Sequence, residues 1–128
     1  MDTKLRIVAA LIACSASAAP AENIAAGATS FKKCFPCHSV GEGARKKFGP
    51  QLNGLDGRDS GAASGYNYSA SYKNSGIVWN EIHFTEYIND PTAKIPGSKR
   101  GFLGIKSENE VKDLWAYLSQ FNADGTRK

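Results

Sequence analysis

The string Cys34-Phe35-Pro36-Cys37-His38 decides how this chain is read. Two cysteines three positions apart, with a histidine directly after the second, form the spacing used to attach haem covalently. Each thiol can add to one of the two vinyl groups of a haem, and the histidine then meets the iron from one face. The histidine has to be a neutral imidazole, and its other ring nitrogen usually donates to a backbone carbonyl that fixes the tautomer. A thioredoxin-like redox site would need a βαβ context, which the sequence lacks. A zinc site would need four ligands, and only His83 is left to join Cys34, Cys37 and His38. The expected cofactor is therefore one covalent haem c per chain.

Upstream of this string, Ile24, Gly27, Ala28 and Phe31 recur at i, i+3, i+4 and i+7, one face of a helix leading into Cys34. Downstream, residues 41–65 hold seven glycines, which argues against extended regular structure there. So long a loop is unusual in a small domain unless it wraps a large rigid ligand. Trp79 to Asp90 offers Ile82, Phe84, Tyr87 and Ile88 on a helical period, and Pro91 disfavours helix in the residue before it. The last helix is the best signalled. Ser107-Glu108-Asn109-Glu110 reads as a capping box, in which Ser107 takes one orphan N–H and Glu110 reaches back for another. Val111, Leu114, Trp115 and Leu118 continue that helix, and Gly125 lies beyond its end.

With 128 residues, 41% hydrophobic and 22% charged, the chain has the make-up of one ordinary globular domain. Its longest apolar run falls short of the roughly 18 residues that a membrane span needs. Residues 1–18 read as an export signal: Lys4 and Arg6, then apolar Ile7 to Ala13, then the small residues Ala16-Ser17-Ala18. Residues 19–128 are then the mature domain, and the net charge falls from +4 to about +3. Leu11-Ile12-Ala13-Cys14 also resembles a lipoprotein box, which would anchor the chain to a membrane through Cys14. The short apolar stretch favours a spare cysteine in a discarded signal, with no membrane attachment.

From residue 22 to about residue 121 the chain resembles a class I cytochrome c of the bacterial and mitochondrial type. Gly27 and Phe31, Gly49-Pro50, Asn53-Gly54-Leu55, Gly57-Arg58 and Gly65-Tyr66-Asn67-Tyr68 carry the likeness. Gly76-Ile77-Val78-Trp79, Tyr87, Ile95-Pro96-Gly97-Ser98-Lys99, Phe102, Gly104-Ile105 and Leu114-Trp115-Ala116-Tyr117-Leu118 extend it. The resemblance implies an all-α fold of three main helices, a short helix and long loops around one haem. It implies that Pro50 offers its carbonyl to His38, and that Arg58, Tyr68 and Trp79 hydrogen-bond a haem propionate. Tyr68 and Trp79 also read as core aromatics, which need a polar partner when buried in any case. Gly27 and Phe31 would pack the first helix against Leu114 and Tyr117 of the last.

The family's sixth iron ligand is a methionine just after this Pro-Gly turn, and Arg100 occupies that place. Met1 is the only methionine in the chain. Guanidinium stays protonated and has no lone pair to give, so Arg100 is expected to turn outward. Lys99, or with less support Lys94, could deprotonate and bind the iron. The iron could instead hold water or stay open, or take His83 after local rearrangement. Without methionine the expected midpoint potential lies below that of the family's high-potential carriers.

Lys32, Lys33, Arg45, Lys46, Lys47, Lys94, Lys99, Arg100 and Lys106 flank the expected haem crevice. They read either as a solvated basic surface or as charges steering the chain onto acidic redox partners. The charge is too small and too scattered for nucleic acid. The reading is a monomeric periplasmic carrier of single electrons, not an enzyme. The alternative is a haem protein that binds or senses small ligands at an open iron.

Overall fold

The computed structural model describes residues 7–15, 22–98 and 102–128. Lys99 and Arg100 lie outside the described residues, as do residues 1–6 and 16–21. Among the described residues five helices follow in order: α1 (Ile24–Phe31), α2 (Ala70–Lys73), α3 (Glu81–Asn89), α4 (Pro91–Lys94) and α5 (Glu108–Leu118). Among the described residues there is no strand, only isolated bridges at Asp59–Val78 and Phe121–Arg127. The fold is all-α, with two short helices where one was expected. The second short helix arises because Pro91 does more than end α3. It stands in the first turn of α4, where its missing N–H costs nothing, and Asp90 caps that turn by accepting from Ala93 N–H at 3.2 Å.

Side-chain caps also set the starts of α1, α3 and α5. Asn23 Oδ1 accepts from Ala26 N–H and Asn80 Oδ1 from His83 N–H. Ser107 Oγ accepts from Glu110 N–H at 3.3 Å, the first half of the expected capping box. The second half is absent. Glu110 Oε1 instead accepts from Ser30 Oγ at 2.9 Å and pairs with Lys33, so it ties α5 to α1. A charge-assisted tie to another helix outcompetes a local bond to the Ser107 backbone.

The crossing of α1 and α5 organises the core. At Gly27 a Cβ would stand 2.6 Å from the Asp113 carbonyl carbon and 2.8 Å from Tyr117 Cβ, so only glycine lets the backbones approach this closely. Phe31 meets the Tyr117 ring at 5.5 Å, and Asp113 Oδ1 accepts from Asn23 N–H at 2.8 Å. Leu114, Leu118, Val111 and Ile95 are the most deeply buried side chains. Each contributes roughly 1.5–3 kcal/mol by leaving water. Phe84 of α3 packs on Trp115 at 5.1 Å.

The glycine-rich stretch has no helix, as its composition predicts. Buried Asn53 pins it by accepting from Gly41 N–H and donating to Gly41 O, at 2.8 and 2.9 Å. Residues 7–15 form no helix, and Ile7, Val8, Leu11 and Ile12 are almost fully exposed. Among the described residues no helix is long and apolar enough to cross a membrane.

Candidate haem site

The turn after α1 places the motif. Cys34 N–H donates to Phe31 O at 2.8 Å and His38 N–H donates to Cys34 O at 2.9 Å, so the chain keeps coiling past the helix end. Cys34 is half-buried and Cys37 exposed, and both are free thiols. Burial pushes the Cys34 thiol up to about 11, opposed in part by Lys33.

His38 is set from behind. Its Nδ1–H donates to the Pro50 carbonyl at 2.8 Å, a contact the family resemblance implied. A carbonyl only accepts, so the proton sits on Nδ1 and the lone pair on Nε2. Burial holds the imidazole below its ordinary pKa, with the positive charges of Arg58 and Lys47 adding to that and the Pro50 bond opposing it. Gly49 lies against the ring face: a Cβ there would stand 2.8 Å from both ring nitrogens.

Arg58 and Trp79 are joined through their backbones. Trp79 N–H donates to Arg58 O at 2.9 Å and Gly57 N–H donates to Trp79 O at 2.8 Å. Arg58 Nη1 donates to Gln51 O and Asn53 O at 2.9 and 3.1 Å, while its Nε is buried without a partner. Tyr68 OH accepts from Ala63 N–H at 3.1 Å, and burial raises its pKa against the pull of Arg58. Trp79 is buried edge-on to Tyr87, with ring centroids 5.3 Å apart.

The sequence reading missed three features here. Ser69 and Ser98 carry buried hydroxyls without partners. Their segments touch, since a Cβ on Gly97 would stand 2.9 Å from Ser71 Oγ. The signal was available in Tyr68-Ser69 and Gly97-Ser98, small hydroxyls beside residues already singled out. Tyr72 OH and Tyr87 OH share a hydrogen bond at 2.8 Å, which raises the Tyr87 pKa further beyond the effect of burial. His83 and Lys94, both weighed as iron ligands, bond each other: Lys94 Nζ donates to His83 Nδ1 at 2.9 Å and also to Glu86.

These residues fit a haem. Buried polar groups left unpaired are costly, so Arg58 Nε and the Ser69 and Ser98 hydroxyls call for an acceptor such as a carboxylate. Free paired thiols and an imidazole with its Nε2 lone pair available complete the donor set. A helical shell that presents these groups defines a small c-type haem protein.

Known proteins narrow the class. The family described as "Cytochrome c" matches residues 24–122. A cytochrome c2 of Rhodoplanes tepidamans is 60% identical over 107 residues, covering 84% of this chain and all of that protein. A cytochrome c-550 of Bradyrhizobium diazoefficiens is 60% identical over 104 residues, covering 81% of this chain and 76% of that one. The solved structure of cytochrome cH from Methylobacterium extorquens superposes with a TM-score of 0.70 at 36% identity, covering 75% of this chain and 96% of that one. This chain belongs to the cytochrome c family. It is a single-haem electron-transfer cytochrome, and its cofactor is covalent haem c.

Proposed function

We propose that the chain carries single electrons between periplasmic redox partners through a haem held by Cys34, Cys37 and His38. The observation that carries this reading is the His38–Pro50 bond at 2.8 Å, which leaves Nε2 free to bind iron directly after the two free thiols. When bound, the haem supplies a one-electron couple at its iron. Cys34 and Cys37 would hold it by thioether bonds, and His38 would ligate the iron through Nε2. Arg58, Tyr68, Trp79, Ser69 and Ser98 would donate to its propionates. Trp79, Leu55 and Ile95, themselves buried, would keep water from that side.

The sixth position departs from the family pattern, because Arg100 stands where the methionine is expected. Lys94 and His83 are committed to each other and to Glu86, which leaves Lys99 as the candidate ligand. The basic residues along the crevice would steer acidic partners into a small transient contact. Export rests on residues 1–18, whose apolar stretch stands exposed at Ile7, Val8, Leu11 and Ile12. The mature chain is proposed to act as a monomer without a membrane anchor.

Absorption spectra of the haem-loaded protein, oxidised, reduced and reduced under carbon monoxide, test this reading. A low-spin reduced spectrum unmoved by the gas is expected, and Lys99→Ala should make it responsive. A high-spin spectrum in the native chain that shifts promptly with the gas would overturn the internal sixth ligand and favour ligand binding at an open iron.

A further inference from the structure

We propose that His83, Lys94 and Glu86 form a proton-operated latch that holds the 95–98 turn in place and releases it in acid. Lys94 Nζ donates to His83 Nδ1 at 2.9 Å and to Glu86 Oε2, and these two acceptors stand 3.7 Å apart on α3. Lys94 is the last residue of α4, so the latch clamps the chain where the turn begins. Ile95 follows at once, 2% exposed, its N–H donating to Pro91 O at 3.0 Å. Ser98 N–H closes the turn on Ile95 O at 3.1 Å.

Nδ1 of His83 accepts from an ammonium only while it keeps its lone pair, so the latch needs a neutral ring. A proton on Nδ1 turns that acceptor into a donor and sets imidazolium against ammonium at contact distance. The two cations then compete for Glu86. Imidazoles make this change between about pH 5 and 8. Among the described residues, the charged groups facing His83 are Glu86 from its own helix and Lys94 from α4. Ser71, Ser75, Gly76 and Ile77 line the adjoining cavity of about 470 Å³ and bring no titratable group. The latch's effect on the haem, through the Ser98 hydroxyl, rests on the proposed function; the latch itself does not.

Hydrogen exchange of residues 95–98 in the haem-loaded protein, compared at pH 7.5 and 5.5 after correction for intrinsic rates, tests the latch. Protection should fall roughly tenfold or more in acid, the scale of one charge-assisted hydrogen bond. His83→Gln, whose side-chain carbonyl accepts at every pH, should stay protected at both. Lys94→Met should leave the turn exposed at both. An unchanged wild-type turn, or an equal acid opening in His83→Gln, overturns the proposal. The visible spectrum and midpoint potential, followed over the same pH range, separate the two readings. Loss of protection with neither of them moving would remove Ser98 from the haem site and leave the latch standing.

Discussion

Gly49 and His38 are in face-to-face contact: the glycine backbone lies against an imidazole already tied to Pro50, and nothing larger than hydrogen fits between them. Gly49→Ala is expected to push the ring off its bond to the Pro50 carbonyl, because a Cβ would overlap three ring atoms. Overpacking of this kind costs about 1–3 kcal/mol. Thermal denaturation of the haem-loaded protein should show a drop of roughly 4–8 °C per kcal/mol. An unchanged midpoint would mean that the ring has room to move and that Gly49 does not position it.

Arg58 predicts a sign for the redox potential. Its guanidinium, bonded to Gln51 O and Asn53 O, keeps a buried Nε for an anionic partner. A fixed cation beside the haem, as proposed for Arg58, would favour the reduced, less positive iron. Arg58→Leu should lower the midpoint potential by tens of millivolts, where about 59 mV corresponds to a tenfold equilibrium shift for one electron. Arg58→Lys should recover most of the loss, since the charge remains. Redox titration of the three proteins decides it; equal potentials would remove Arg58 from the propionate site.

The pair of Lys33 and Glu110 predicts a pH dependence. Hydrogen bonds from Lys33, and then from Ser30, hold the Glu110 carboxyl below its ordinary range. A depressed carboxylate stabilises the fold above its unfolded pKa, near 4.3, and that contribution is lost as pH falls through the lower folded value. Glu110→Gln should therefore cost stability at pH 7, less than about 1 kcal/mol for a surface pair. The gap between the two proteins should narrow as pH falls below the unfolded carboxylate value and close once it is below the lowered folded one, as urea melts across that range would show.

On the proposed reading, Arg100→Met would supply the thioether that the resemblance places at this position. The expected result is a rise in midpoint potential together with loss of any response to Lys99→Ala. An unaltered potential would show that position 100 does not face the iron.

The three main helices were legible in the sequence because their signals are local. Ile24 to Phe31 and Glu108 to Leu118 form where the apolar period and the Ser107 cap place them. Pro50 was legible through the resemblance, and the bond from His38 is there. What escaped the sequence depends on distant partners. Glu110 reads as half of a capping box until Ser30, 80 positions away, is known to lie beside it. Nothing near His83 announces Lys94, which α4 brings back across the turn at Asp90. Ser69 and Ser98 look like ordinary turn residues, and only their burial without partners sets them apart.

The contact between Asn23 and Asp113 spans 90 residues, and Gly27 meets Asp113 and Tyr117 beside it. The first helix of the fold therefore has no partner until the last has been synthesised. Closing so long a loop comes before its reward, which delays folding. A nascent chain of this design stays threadable until almost complete. If the chain is exported unfolded through a narrow translocation channel, as proposed, order of synthesis would do the work of a holding chaperone.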